Sequence, residues 1–307
     1  MLLEDLAKEY IYEIQIRNYT PRTIKGYKNN ILRFCQFIKN EFEIVELEEV
    51  SPIHIKQYLN SLNKKGRSPV YINTILKNLR SFFQYGFNEG YCINIAKKVT
   101  WLKENKSIIS TFTDSEVKRM LDYWKFSSYL HARNRCIMAV LFDTGIRNFE
   151  LCELKNLDVR ETVIHIMGKG RKERVIPISP YLKKVMIKYE RIKECYLSDD
   201  ILNYDNYFLS SRNKPLTTEA IQRIVKLAGQ GANVRKEIRC SPHTCRHYYA
   251  QAQLKNGLDV YSLSRLLGHE SIVITKRYLE GIKDTEVLEL GVKSSPLMNL
   301  KWLDSKI

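Results

Sequence analysis

The stretch SPHTCRHYYA, residues 241–250, places two histidines, an arginine and a cysteine within five positions, with Cys240 just ahead of them. Two chemistries compete for such a cluster. Cys240, His243, Cys245 and His247 are zinc-ligand types, but structural zinc sites draw on two separated ligand pairs and here there is one clump. His243 and His247 keep the spacing of H-E-x-x-H, yet Thr244 stands where the Glu belongs. Arg246, a permanent cation, would also repel a dication, so no metal is expected. The anion reading uses every residue. Ser241 can cap a helix and Pro242 suits its first position, which puts His243 in the first turn and Arg246 one turn on. Helix N-termini carry free N–H groups and partial positive charge, natural company for phosphate. Arg246 can fork onto two phosphate oxygens, while a histidine donates to a third or moves a proton. At an effective dielectric of about 20, a cation about 4 Å from a phosphate contributes about 4 kcal/mol before desolvation. Helical geometry alone does not choose between His243 and His247 for that work; the other is an ordinary buried histidine.

Three more stretches carry groups suited to an anion. In LFDTGIRNFEL, Arg147 follows a Thr-Gly turn and Glu150 lies one helical turn on, able to orient the guanidinium; a surface Arg–Glu pair reads equally well there. In LLGHESIVITKRYLEGI, Gly268 ends an apolar helix, His269 comes just past it, and Tyr278 lies nine residues later. Nineteen tyrosines dilute any single one, and Tyr248 and Tyr249 are rivals. Lys169 sits between Gly168 and Gly170 in GKGRKE, which by itself reads as a plain basic turn.

The elements that must position these groups fall into two parts. The first third reads as four short helices. TPRTIKGYKNNILRFCQFI has Thr20 as N-cap, Pro21 at the first position and Tyr27, Ile31, Phe34 and Ile38 on one face. Ser51-Pro52 and Ser68-Pro69 repeat the device, with stripes of Ile55, Leu59, Leu62 and of Ile75, Leu76, Leu79, Phe82, Phe83. Arg22, Lys25, Lys28, Lys64, Lys65, Arg67, Lys77 and Arg80 sit at helix starts, in a connection and on polar faces. They are candidates for phosphate contact, though a solvated face has the same pattern. Residues 96–111 read as a basic linker. After it, Thr113 and Glu116 have the spacing of a capping box. NRCIMAVLFDTG reads as a buried helix, and TVIHIM and RVIPIS as strands joined around GKGRKE. Helices are expected at 180–194, around 217–228, and from Ser241.

Composition bounds the partner. The 307 residues have a hydrophobic share of 44%, a charged share of 27% and a formal net charge of +16. Such a charge favours a polyanion, nucleic acid before membrane, since no single basic amphipathic helix dominates. No apolar run approaches the roughly 18 residues of a membrane span. MLLEDLAKEY does not read as a secretory signal, and seven scattered cysteines without a C-x-x-C pair suit a reducing cytosol.

In order, TGIRNFEL, HTCRH, LLGHES and TKRYL resemble the tyrosine recombinase (phage integrase) family, with its Xer-type recombinases and mobile-element integrases. TPRTIKGYKNNILRF and LRSFFQYGFNEG resemble its helical, SAM-like core-binding domain. The resemblance implies a mainly α fold with a small antiparallel β-sheet: a helical core DNA-binding domain at 1–95, the linker, and a mixed α/β catalytic domain with a C-terminal tail at 112–307. It implies Arg147, Lys169, His243, Arg246, His269 and Tyr278 as the catalytic set, Glu150 as a supporting acid and His247 as structural. The implied reaction is site-specific DNA recombination without metal, ATP or other cofactor. Tyr278 attacks a backbone phosphate to give a 3′-phosphotyrosyl bond, the arginines neutralise charge, His243 accepts the phenol proton and Lys169 protonates the leaving oxygen. The implied partners are double-stranded DNA with specific recombination sites, three further copies of the chain in a homotetramer, and accessory DNA-bending proteins. The implied location is the cytoplasm of a prokaryote, at the nucleoid. Integration, excision and resolution all fit, and the rivals are a type IB topoisomerase-like relaxing enzyme and a non-catalytic DNA-binding regulator. The sequence departs from the family pattern at Cys245, in CINIAKK and at Glu280. The tail KDTEVLELGVK, with Val287, Leu288 and Leu290, is expected to dock on a neighbouring protomer or on its own domain.

Overall fold

The computed structural model describes residues 1–104, 109–168, 173–197, 204–279, 288 and 292. The chain divides into two compact units, 1–106 and 107–307.

In the first unit, α1 (Leu3–Ile16), α2 (Pro21–Phe42), α3 (Pro52–Lys64) and α4 (Pro69–Asn88) surround one core. Three of them begin at the Ser/Thr-Pro pairs, where the capping side chain satisfies an orphan N–H and proline has none to lose. Thr20 Oγ1 accepts from the Thr23 N–H at 3.3 Å and Ser68 Oγ from the Tyr71 N–H at 3.3 Å. At α3 the roles reverse: the Ser51 N–H donates to His54 Nδ1 at 3.2 Å. Ile31, Phe34, Ile55, Leu79, Phe82 and Phe83 fill the interior. The stretch read as linker packs on this unit as far as residue 104. Ala96 and Val99 join the core, and the Asn73 amide both donates to Leu102 O and accepts from the Leu102 N–H, each at 2.9 Å.

The second unit is built around α6 (Tyr129–Thr144), buried along most of its length, the mark of a central helix. α5 (Asp114–Tyr123) opens in the expected capping box: the Thr113 N–H donates to Glu116 Oε2 at 2.8 Å and the Glu116 N–H to Thr113 Oγ1 at 3.3 Å. After α7 (Asn148–Glu153), β1 (Val163–Met167) and β2 (Glu173–Pro177) form an antiparallel pair with Ile164 opposite Ile176 and Ile166 opposite Arg174. Lys169, between them in the sequence, lies outside the described residues. α8 (Pro180–Leu197), α9 (Thr218–Gly231), α10 (Pro242–Lys255), α11 (Val260–Leu267) and α12 (Ile272–Lys276) complete the unit. α8 and α10 pack against α6, whose apolar surface has no solvent-facing side to spare. The fold is therefore mainly helical with a small antiparallel sheet, as the sequence predicts. Among the described residues, no helix is long and apolar enough to cross a membrane.

Candidate active site

The C-terminal end of α11 organises the site. Gly268 takes the left-handed conformation (φ 63°) that lets a helix stop, and its N–H donates to Arg265 O while the His269 N–H donates to Ser264 O. Carbonyls at such an end have no partner within the helix and carry partial negative charge. Three arginines, distant in sequence, take three consecutive ones. Arg174 Nε donates to Leu266 O at 3.0 Å, Arg246 Nη2 to Leu267 O at 2.7 Å, and Arg147 Nη2 to Gly268 O at 2.7 Å. Arg246 Nη1 also donates to Gly145 O at 2.7 Å. Gly145 ends α6 with φ 59°, and a Cβ there would stand 2.4 Å from the Tyr249 ring. Left-handed glycines at two helix ends thus turn carbonyls toward one guanidinium.

Arg147 is the residue before α7, and Glu150 reaches back to it. The Arg147 N–H donates to Glu150 Oε2 and its Nη1 to Oε1, both at 2.9 Å. Glu150 is buried, which pushes its carboxyl up. Bonds and charge from Arg174, then bonds from Arg147, outweigh that and hold it below its ordinary value. Arg174 forks onto both carboxylate oxygens, Nη1 at 2.8 Å and Nη2 at 2.6 Å. This arginine was not among the sequence candidates. Its signal was available: strand alternation puts position 174 on the same face as Ile176, which is fully buried.

Ser241 caps α10 as expected, accepting the Thr244 N–H at 3.3 Å. Arg246 is buried; that burial, with Arg147 nearby, lowers its pKa to about 10, so it stays cationic at neutral pH. Cys245 points the other way, into the core of the unit, so the cluster is not gathered around one ligand point. His243 lies exposed at the start of the helix, its pKa lowered by partial desolvation against the neighbouring atoms and then by Arg246 and Arg239. His247, expected to be structural, faces Tyr278. Its Nδ1 is 3.0 Å from the Tyr278 hydroxyl and its ring centre 4.1 Å from that of His243. Burial first, then His243, Arg246 and Arg277, bring His247 down to about 4.

Tyr278 follows α12 and is buried against Tyr249, Ala250, Leu254, Leu263 and Leu267. Burial raises its pKa, while Arg246, Arg277 and Arg147 pull the other way. His269 lies nearly parallel to the Tyr278 ring at 6.4 Å, and its Nδ1 is 2.8 Å from Thr275 Oγ1. Burial and the three arginines bring His269 to about 4. The rival tyrosines are occupied otherwise: Tyr248 donates to Asp114 Oδ1 at 2.8 Å, and Tyr249 fills the space beside Gly145. Among the described residues, no group of His, Cys, Asp and Glu could hold a metal ion.

Of the candidate phosphate contacts in the first unit, Arg22, Lys25, Lys28, Lys64, Lys65, Arg67 and Lys77 are exposed. Arg80 is half-buried; it donates to Val99 O and lies 4.3 Å over the Trp101 ring, fastening the 96–104 segment. The second unit adds a groove of about 830 Å³ beside Ser241, with Arg223, Lys226, Arg235, Lys236 and Arg239 along it.

Residues 110–283 match the model of the phage integrase family. The chain belongs to that family. Residues 6–93 match the family's N-terminal SAM-like domain. A tyrosine recombinase XerC from Thermodesulfovibrio yellowstonii is 31% identical over 283 residues, covering 91% of each chain. Among solved structures, a XerH site-specific recombinase in a post-cleavage complex on palindromic difH has a TM-score of 0.73 at 20% identity, covering 92% of this chain and 82% of that one. A lambda integrase tetramer on a Holliday junction has a TM-score of 0.72 at 20% identity, covering 91% and 77%. This chain is thus a tyrosine recombinase, of an enzyme class that cleaves and rejoins DNA strands.

Proposed function

We propose that this recombinase grips one scissile DNA phosphate between Arg147 and Arg246 and attacks it with Tyr278, forming a 3′-phosphotyrosyl bond and releasing a 5′-hydroxyl. The convergence of the two guanidinium groups on Gly268 O and Leu267 O, beside the tyrosine, carries this reading. An arginine has five N–H donors. The contacts described leave each of the two with N–H groups for phosphate oxygens, held in fixed positions before charge develops. His243 and His269 complete the cradle as donors to the non-bridging oxygens, with Glu150 holding Arg147 in place. Lys169 supplies the proton for the departing 5′ oxygen. The covalent bond stores the energy of the broken phosphodiester, so a 5′-hydroxyl from a second duplex can reverse the step without ATP.

The family relatives support extending the partners to double-stranded DNA with specific recombination sites. Four copies would assemble on two such sites, in the cytoplasm at the nucleoid, with accessory DNA-bending proteins setting direction. Arg22, Lys25, Lys28, Lys64, Lys65, Arg67 and Lys77 of the first unit would bind the backbone. A nicked suicide substrate, from which the 5′ fragment diffuses away, tests the reading. The wild-type protein accumulates a covalent adduct, and Tyr278→Phe binds the same DNA but forms none. An adduct in Tyr278→Phe would refute the assignment.

A further inference from the structure

The resemblance points to His243 as the base that takes the proton of the tyrosine. The geometry points to His247: we infer that its Nδ1 holds the Tyr278 hydroxyl by a hydrogen bond and accepts the phenol proton as the Oη–P bond forms. This rests on the reading of Tyr278 as nucleophile. The hydroxyl is 3.0 Å from His247 Nδ1, within hydrogen-bond reach, the first requirement of a general base. The contact is built rather than incidental. His247 sits one turn beyond His243 on α10, and the edge-to-face packing of the two rings, 4.1 Å between centres, fixes the imidazole plane. On the other side the phenol is held by burial against α11 and by the His269 ring. His243 lies exposed at the helix start, open to a phosphate oxygen rather than committed to the tyrosine.

Electrostatics agree with the direction of transfer. The titratable and charged groups facing His247 are His243 and Arg246 on its own helix and Arg277 and Tyr278 beyond α12. Burial and the cations keep the imidazole neutral at pH 7, and burial keeps the phenol protonated. In the Nε2–H tautomer that this role requires, Oη–H donates and Nδ1 accepts. A bound phosphodiester brings negative charge to the arginines and raises the basicity of the histidine toward the range in which bases work. The balance is complete. The proton moves from Oη to Nδ1, the Oη–P bond forms as the P–O5′ bond breaks, and the 5′ oxygen takes a proton from the Lys169 ammonium. On rejoining, each proton returns.

The test compares adduct formation in single turnovers on the nicked substrate. One series uses an ordinary scissile phosphate and the other a 5′-bridging sulfur, whose thiolate leaves without an acid. His247→Phe and His247→Gln are each measured from pH 5.5 to 9.5, with DNA affinity as the check of folding. Both variants are expected to bind DNA within about twofold of wild type and to cleave about 10²-fold more slowly, the usual yield of a general base. The deficit persists with the sulfur substrate, and the rate rises about tenfold per pH unit as hydroxide replaces the imidazole. Glutamine can accept the hydrogen bond but cannot keep the proton, so it falls with phenylalanine. Wild-type rate and profile in His247→Gln would reduce His247 to an orienting group and overturn the inference, as would full rescue by the sulfur leaving group. Slowed adduct formation in the His247 variants, with Tyr278→Phe still inert, supports both readings. An adduct in Tyr278→Phe instead removes the nucleophile itself.

Discussion

Arg174 clasps Glu150 with both arms of its guanidinium, at 2.8 and 2.6 Å, and neither side chain sees much solvent. Arg147 leans on the same carboxylate from the other side, so the grip of Arg174 sets where Arg147 points. Removing one partner of a buried pair costs about 3–5 kcal/mol because the remaining charge is stranded. Arg174→Ala should therefore lower stability by that order and slow cleavage at least tenfold. Arg174→Lys, which cannot fork, should fall between. Denaturant unfolding and single-turnover cleavage check both.

Gly268 should not tolerate a side chain. Its left-handed backbone costs a non-glycine residue about 1–2 kcal/mol, and a Cβ would stand 2.9 Å from Arg174 Cδ. Gly268→Ala should lower the unfolding free energy by about that amount or more. It should also slow cleavage more than it weakens DNA binding, because Arg147 and His269 flank the same turn. Urea titration beside DNA affinity and cleavage rate separates the effects.

Glu116 should contribute to acid sensitivity. Burial raises its pKa, but hydrogen bonds from Arg235 and the Thr113 N–H overcome this and bring it to about 2. A carboxyl lowered in the folded state contributes stability that is fully present above about pH 4.5 and is lost as pH falls through about 2. Glu116→Gln should be less stable than wild type at pH 7, and the gap should close between pH 4.5 and 2. Stability curves for both proteins across that range measure it.

The exposed cations of the first unit should behave differently from Arg80. Each phosphate neutralised adds about −0.9 to the slope of log affinity against log salt. Lys25→Ala should flatten the slope by about 0.9 if its contact is direct, with stability unchanged. Arg80→Ala removes the cation–π contact with Trp101 and the bond to Val99 O, so it should lower stability by about 1 kcal/mol or more. Affinity measured at several salt concentrations, with melting curves, distinguishes the two classes.

Much of the fold was readable from local chemistry. Ser-Pro and Thr-Pro pairs mark helix starts because capping and the proline ring act within four residues. The apolar stripes show which faces are inward for the same reason. How residues 96–104 lie on the first unit was harder to read. A basic, proline-free segment such as KKVTWLKE has no period of its own, and its docking depends on Asn73 and Arg80 on α4.

The sequence by itself determined the order of the chemical groups, the helix ends that hold them and the two glycines that let those ends turn. Its residue types suited Arg246 to an anion, while only the family resemblance singled out Tyr278 among nineteen tyrosines. Only the tertiary structure decided the pairings. Helical period places His243 and His247 on one face alike, but what meets that face is a tyrosine 31 positions away, and it meets His247. Arg147 and Gly268 are 121 positions apart, and Arg246 and Gly145 are 101. Local propensity extends over a turn or two of helix. A contact across a hundred residues is set by how helices pack, and that packing chose which carbonyl steadies each arginine.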